Sequence, residues 1–183
     1  MIALAAPGCD DKTPSPCVIQ GPVAVDLGTG PEDGQGYLPM TDGQMVPLTF
    51  GAQGGFHVWT NIRVRNVCFS QMRFKRTATW IETGQLVSFS AEQLSLVAAS
   101  DPQLAAQGWG ELPTSRPMFM CPNQFGLTIP GHMVRMEVEI TDKDGRMGMA
   151  QHVVVPMCQN NSFIQACMCQ CAPMLGTCPD GGI

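Results

Sequence analysis

Apolar and polar residues alternate along several short stretches of this chain, and glycine, proline, asparagine and aspartate separate these stretches. The clearest alternation runs over residues 56–67. A period of two places successive side chains on opposite faces of a β-strand, so this stretch predicts a strand with one buried and one solvated face. The face predicted to be buried carries Phe56, Val58, Thr60, Ile62 and Val64. The face predicted to be solvated carries His57, Trp59, Asn61, Arg63 and Arg65.

The strongest local pattern lies late in the chain and predicts a β-hairpin. Residues 133–141 and 147–157 both alternate, and the tetrapeptide Asp-Lys-Asp-Gly at 142–145 supplies a tight turn between them. Residues 45–50 predict an edge strand, because Pro47 has no N–H to donate to a neighbouring strand. Residues 109–130 predict mainly loops. Together these patterns indicate short strands joined by turns.

The predicted hairpin, residues 134–155, resembles the closing hairpin of bacterial immunoglobulin-like and PKD-like extracellular domains. Those domains often end in an alternating strand, a Thr-Asp-x-x-Gly turn and a valine-rich last strand, and Thr141, Asp142 and Gly145 occupy the turn positions here. The resemblance implies two packed sheets. We therefore expect an all-β protein: an immunoglobulin-like antiparallel β-sandwich over residues 22–157, with a disulfide-rich C-terminal tail over residues 158–183.

Length and charge narrow the class of protein. A chain of 183 residues suits one domain with short extensions. Ten lysines and arginines stand against 15 aspartates and glutamates, which gives a formal net charge of −5. Nucleic-acid binding requires clustered positive charge to meet the phosphates, so we expect no nucleic-acid partner. No apolar run reaches the roughly 18 residues of a membrane-spanning helix.

The N-terminus carries a second resemblance. Residues 1–9 form a small apolar run that ends in Cys9, after which the chain becomes acidic and rich in proline and serine. This resembles the end of a bacterial lipoprotein signal, in which the cysteine becomes the first mature residue and carries acyl chains. The resemblance implies a signal remnant over 1–9, lipid attachment at Cys9 and a linker over 10–21. It also implies an extracytoplasmic protein, anchored by its lipid to a membrane of the bacterial cell envelope.

Cysteine parity agrees with an extracytoplasmic protein. Setting Cys9 aside leaves eight cysteines, an even number that suits a disulfide framework in an oxidising compartment. Eight cysteines allow 105 connectivities, so the sequence leaves the pairing open. The candidates are Cys17, Cys68, Cys121, Cys158, Cys167, Cys169, Cys171 and Cys178.

The tail also permits a metal-binding interpretation. Its Cys-x-Cys-x-Cys sequence at 167–171 could present thiolates to Zn²⁺ or Cu(I), although zinc sites usually space their cysteines two to four residues apart. Thirteen methionines together with His57, His132 and His152 raise a copper hypothesis. Methionine also fills protein cores, and the motif of blue-copper proteins is missing from the sequence. We therefore favour disulfides and expect neither a metal nor a cofactor.

The remaining candidate chemistry is binding. His57, Trp59 and Arg63 share one face of the predicted strand and form a polar strip suited to a carbohydrate or a peptide. No motif for a nucleophile, a catalytic metal or a phosphate loop stands out, so we do not expect an enzyme. The sequence predicts a membrane-anchored lipoprotein with a structural or binding role at the cell envelope, facing an envelope protein or carbohydrate. A periplasmic copper- or zinc-binding module that uses the Cys, Met and His residues is the alternative.

Overall fold

The computed structural model describes residues 19, 21–31, 36–52 and 54–173. Strands account for 49 % of these residues and helices for 9 %, which confirms a mostly β protein. The helices are α1 (Pro102–Ala106) and α2 (Ile164–Cys171). The strands are β1 (Ala24–Thr29), β2 (Leu38–Pro39), β3 (Met45–Phe50), β4 (Phe56–Arg65), β5 (Met72–Trp80), β6 (Leu86–Leu94), β7 (Val97–Ala98), β8 (Trp109–Glu111), β9 (Arg116–Cys121), β10 (Val134–Thr141) and β11 (Met147–Cys158).

Eight strands follow one another through the sheet in the order β2–β1–β4–β3–β11–β10–β5–β6. Strand β9 pairs with the first half of β4, β8 pairs with its second half, and β7 pairs with β8. The predicted late hairpin is confirmed, because β10 and β11 pair antiparallel across a turn in which Gly145 has a φ of 80°. Asp142 Oδ1 accepts the backbone N–H groups of Asp144 and Arg146, which fixes that turn.

The prediction of a purely antiparallel sheet is wrong, because β3 and β11 pair in parallel. Parallel neighbours need a long connection, and the chain between Phe50 and Met147 provides it here. Strand β3 is also not an edge strand, since it lies between β11 and β4. Pro47 nevertheless pairs only with Met157 of β11, because β4 pairs with the last two residues of β3 alone. One side of the backbone at Pro47 is thus unpaired, which accommodates the missing N–H.

A single hydrophobic cluster draws its residues from strands that lie far apart in the sheet order. Phe56 of β4, Phe74 of β5 and Met136 of β10 are among its largest fully buried members. Strand β1 packs directly on β11 at Gly148. A Cβ at that position would lie 2.7 Å from Val25 Cγ2 of β1, so only glycine allows the two strands to come this close.

A buried arginine joins β5 to the strands across the core. Arg76 is 4 % exposed, and its Nη1 donates to Thr60 Oγ1 at 3.2 Å and to the Pro117 carbonyl at 3.0 Å. Its Nη2 donates to Glu92 Oε1 at 2.8 Å. Burial lowers the pKa of Arg76, and the neighbouring Glu92 carboxylate opposes that shift. The guanidinium therefore connects β4, β5, β6 and β9 at one point in the interior.

The prediction that the second face of β4 is solvated is wrong, since His57 and Asn61 are 3 % and 0 % exposed. Neighbouring loops and strands cover this face. The Asn61 amide donates to the Gly36 carbonyl at 2.7 Å and to Ser115 Oγ at 3.3 Å. The Arg65 guanidinium lies over the Trp109 ring. Polar side chains can be buried when they find such partners, and an alternating pattern does not reveal those partners.

Disulfides hold the cysteine-rich tail against the β domain. Cys158 at the end of β11 is bonded to Cys167 in α2, and Cys121 at the end of β9 is bonded to Cys171. These bonds confirm the predicted disulfide-rich tail. Two further cysteines, Cys68 and Cys169, are also disulfide-bonded. The candidate cysteines Cys9, Cys17 and Cys178, with most of the predicted linker over 10–21, lie outside the described residues. Neither helix in the described ranges is long and apolar enough to cross a membrane.

Candidate binding site

A cavity of about 330 Å³ opens where the first half of β4 meets β3 and β9. We call it the aromatic pocket. Pockets that bind small ligands in proteins are of this size or larger and are mainly apolar, with a few polar groups that orient the ligand. The residues that line the aromatic pocket are Phe50, Gly51, Ala52, His57, Trp59, Pro117 and Phe119.

Strand register brings the side chains of the pocket together. On β9, Phe119 lies opposite His57, and Pro117 lies opposite Trp59. On β3, Thr49 lies opposite His57. Residues directly opposite one another in paired strands point to the same face of a sheet. Thr49, His57, Trp59 and Phe119 therefore share one face, although they come from three separate parts of the chain.

The turn between β3 and β4 covers the His57 ring. Within it, the Gly51 N–H donates to the Gly55 carbonyl, and the Gly54 N–H donates to the Gly51 carbonyl. A Cβ at Gly51 would lie only 3.1 Å from His57 Nδ1. At Gly55 φ is 76°, and a Cβ there would meet the Cys121 carbonyl oxygen at 2.7 Å. Glycine thus permits both the shape of this turn and its close contact with the histidine.

His57 is the most unusual residue of the pocket. Both ring nitrogens are buried, and neither has a hydrogen-bond partner among the described residues. The ring lies edge to face with Trp59, with 4.6 Å between ring centroids, and 5.9 Å from the Phe119 centroid. Burial lowers the pKa of His57 below its ordinary value of 6.5, so the imidazole is neutral at pH 7. Buried polar groups in native proteins nearly always have a hydrogen-bond partner, so the two ring nitrogens of His57 are exceptions to that rule.

Two more polar atoms on the same face share this property. Trp59 Nε1 and Thr49 Oγ1 are buried and have no hydrogen-bond partner in the described part of the chain. The indole N–H is only a donor, whereas the threonine hydroxyl donates and accepts. Three neighbouring side chains therefore leave unused hydrogen-bonding groups beside an aromatic cavity.

Arg63, the third residue predicted to bind a ligand, lies outside the aromatic pocket. Its Nε donates to Glu111 Oε2 at 3.1 Å, and its guanidinium lies 4.1 Å from the centroid of the Tyr37 ring. Glu111 also accepts the backbone N–H of Ser100. Burial, assisted by the Asp26 carboxylate, raises the pKa of Tyr37 to about 12. This arrangement packs the 36–37 segment onto the second half of β4, so the structure separates Arg63 from His57 and Trp59.

A second, larger cavity of about 700 Å³ is also lined by Phe119. The Cys121 backbone and the tail residues Cys169, Gln170 and Pro173 contribute to its walls. Gln170 Oε1 is buried and has no partner among the described residues. The tail thus helps to shape the surface beside the aromatic pocket, which gives the disulfides a role in positioning this end of the molecule.

Among the described residues considered for metal binding, all the cysteines and two of the three histidines, His132 and His152, contact other side chains. All six cysteines in the described ranges form disulfides and so offer no thiolate. His132 Nδ1 lies 2.9 Å from Glu82 Oε1, and His152 Nδ1 lies 3.1 Å from Asp42 Oδ1. Within the part of the chain that the structure describes, His, Cys, Asp and Glu do not form a group of three or more that could hold a metal ion.

Sequence reasoning identified His57 and Trp59 but missed the other residues of the pocket. Phe119 and Pro117 belong to a segment that was predicted to be mainly loop, yet residues 116–121 form β9 and pair with β4. The glycine-rich sequence between Phe50 and Phe56 was a usable signal, because it indicates a turn that places the ends of two strands side by side.

A search of protein-family models and of curated proteins found no match to this sequence.

Proposed function

We propose that this protein is an extracytoplasmic binding module, held at the bacterial cell envelope by acyl chains on Cys9, and that the aromatic pocket is its ligand site. The observation that carries the binding role is the buried, unpartnered imidazole of His57 beside an aromatic cavity. A ligand that supplies hydrogen bonds to this face recovers the free energy that unpaired buried polar groups cost, about 1–3 kcal/mol for each group.

The compartment is supported by the state of the cysteines. Six of the cysteines form disulfides. Two of these bonds, Cys121–Cys171 and Cys158–Cys167, attach the tail to β9 and β11. Disulfides persist in oxidising compartments and are rare in the reducing cytosol. A lipid on Cys9 requires export as well, because acyl chains are added to such cysteines after the signal sequence has directed the chain to the membrane. The disulfides thus support the proposed compartment, and the proposed lipid on Cys9 would require the same one.

The positions of the predicted linker and the pocket suit an anchored binder. The described domain begins next to Arg65: Ala24 of β1 pairs with Arg65, and Arg146 donates to the Gly21 carbonyl. The pocket lies at the other end of β4, where His57 is the second residue. Ten strand residues span about 30 Å. A tether at Cys9 would join the described domain near Gly21, at the end of β4 that is remote from the pocket.

We also propose that the fold is an immunoglobulin-like sandwich. The antiparallel hairpin of β10 and β11, and the contact of β1 on β11 at Gly148, support two layers packed over one core. In this protein, an immunoglobulin-like sandwich would have to accommodate the parallel pairing of β3 with β11.

Co-sedimentation with isolated cell envelopes tests the binding role. The Cys9→Ala variant is used throughout, so that a lipid anchor does not carry the protein into the pellet. Phe119 and Phe89 form a matched pair, because they are 45 % and 56 % exposed and only Phe119 lines the pocket. We expect Phe119→Ala to weaken co-sedimentation at least about tenfold, and Phe89→Ala to leave it unchanged. Equal behaviour of the two variants, or no co-sedimentation of the parent, would contradict the proposal.

A further inference from the structure

We infer that the ligand of the aromatic pocket is an uncharged glycan, with a sugar ring against Trp59 or Phe119 and its hydroxyl groups paired with the His57 ring nitrogens. This inference rests on the proposed binding role of the pocket and names the chemical class of its ligand.

The unused hydrogen-bonding groups require both donors and acceptors. In the pocket lining, the neutral imidazole of His57 has one N–H and one acceptor nitrogen, and Trp59 Nε1 only donates. The ligand must therefore accept from at least two of these groups and donate to at least one, within the width of one small pocket. Adjacent hydroxyl groups on a sugar ring provide this combination, since each hydroxyl donates one hydrogen bond and accepts two.

The pocket favours an uncharged ligand. Its described lining contains no charged side chain: it consists of phenylalanine, glycine, alanine, tryptophan, proline and a neutral histidine. No side chain there offers a counter-charge. Moving a charged ligand into such a site would cost desolvation without an ion pair to offset it. Arg63, the arginine predicted to bind a ligand, does not line the pocket. Its guanidinium is paired with Glu111.

Aromatic walls suit the apolar face of a sugar ring. Trp59 and Phe119 both contact the His57 ring, so a ring placed against either one brings its hydroxyl groups to the imidazole. The His57 nitrogens are covered by their neighbours, and one wall must move aside for a ligand to reach them. We assign this movement to Phe119, because at 45 % it is the most exposed aromatic side chain of the lining.

A proline-rich peptide is the other ligand that aromatic grooves commonly hold. A run of prolines offers carbonyl acceptors but no N–H donors, so it would satisfy Trp59 Nε1 and leave the acceptor nitrogen of His57 unpaired. The donor requirement of the imidazole thus favours the glycan.

Isothermal titration of the oxidised full chain tests the inference. The probes are uncharged oligosaccharides (chitotriose, cellotriose and maltotriose), an anionic oligogalacturonate and a proline-rich peptide. We expect at least one uncharged oligosaccharide to bind, with affinity reduced at least about tenfold by Phe119→Ala and unchanged by Phe89→Ala. Trp59→Phe keeps an aromatic wall but removes the N–H, and we expect it to weaken binding by a smaller factor than Phe119→Ala.

Three results would overturn the inference. They are the absence of binding by every uncharged oligosaccharide, oligosaccharide binding that Phe119→Ala does not weaken, and preferential binding of the peptide or the anionic probe. If envelope co-sedimentation still depends on Phe119 in any of these cases, the binding role stands and only the glycan assignment fails. If that dependence is also lost, the proposed function fails with it.

Discussion

Cys171, the last residue of α2, is disulfide-bonded to Cys121, the last residue of β9, and its sulfur lies 3.9 Å from the sulfur of Cys167. The Cys121–Cys171 and Cys158–Cys167 disulfides are therefore packed against each other. Cys167 and Cys171 are 1 % and 0 % exposed, so the pair belongs to the core as much as to the tail. Strand β9 carries Phe119 two residues before Cys121, which links the tail directly to the aromatic pocket.

The two disulfides should differ in their contribution to stability. Cys121–Cys171 closes a loop of 50 residues, whereas Cys158–Cys167 closes one of 9 residues. Loop-closure entropy predicts a loss of about 4 kcal/mol in the free energy of unfolding for the Cys121→Ala/Cys171→Ala double variant. The Cys158→Ala/Cys167→Ala double variant should lose about 3 kcal/mol. Urea unfolding without reductant measures both, and a larger loss from the shorter loop would contradict the entropic account.

Removing the charge of Glu92 should destabilise the protein, because Glu92 is the partner of the buried Arg76 guanidinium. We expect Glu92→Gln to lower the free energy of unfolding by about 2 kcal/mol, less than for a fully buried pair because Glu92 is 33 % exposed. Glu139→Gln is the matched control. Glu139 lies 3.9 Å from the exposed Lys75, and its loss should cost less than about 0.5 kcal/mol. Equal losses in urea unfolding would contradict the role given to Arg76.

His57 should make the fold sensitive to acid. Burial lowers its pKa in the folded state below 6.5, so the unfolded chain binds the proton first as the pH falls. The unfolded state then holds more protons, and the free energy of unfolding falls as pH drops through 6.5 towards the lowered folded-state pKa. His57→Phe should remove this part of the pH dependence. Urea unfolding of both proteins at about pH 7 and about pH 5 checks the expectation, and an unchanged slope in the variant would refute it.

Lipid attachment is tested by metabolic labelling with palmitate. The wild-type protein should incorporate label, and Cys9→Ala should incorporate none, because the acyl chains are placed on that cysteine. Cys17→Ala is the appropriate control, since it removes a nearby cysteine and should leave the labelling intact. Equal labelling of Cys9→Ala and the wild type would exclude the proposed anchor.

Local patterns predicted the parts of the fold that depend on neighbouring residues. The alternation over 133–157 and the Asp-Lys-Asp-Gly turn gave the β10–β11 hairpin, because a two-residue period and a tight turn are properties of adjacent residues. Disulfides in the tail were predicted from the even number of cysteines together with the expected oxidising compartment.

The features that were missed depend on contacts between distant parts of the chain. Strand β9 contains Pro117 and pairs with β4, which lies more than fifty residues earlier in the chain. The residues around β9 do not predict that pairing. Likewise, the second face of β4 read as solvated because its residues are polar, whereas partners such as Gly36, Ser115 and Glu111 cover it. The sequence predicts that His57 is polar and exposed. In the structure its ring nitrogens are buried and lack a hydrogen-bond partner, and the proposed ligand site rests on that observation.

The intact mass of the protein recovered from cells, measured without reductant, tests the central claim most directly. If the protein is an exported lipoprotein, we expect to recover it with the envelope fraction. Its mass should then include acyl chains on the N-terminal cysteine. The mass should also show a deficit of about two mass units for each disulfide, including Cys121–Cys171 and Cys158–Cys167. Recovery from the cytosol with unmodified thiols and no acyl mass would contradict the account.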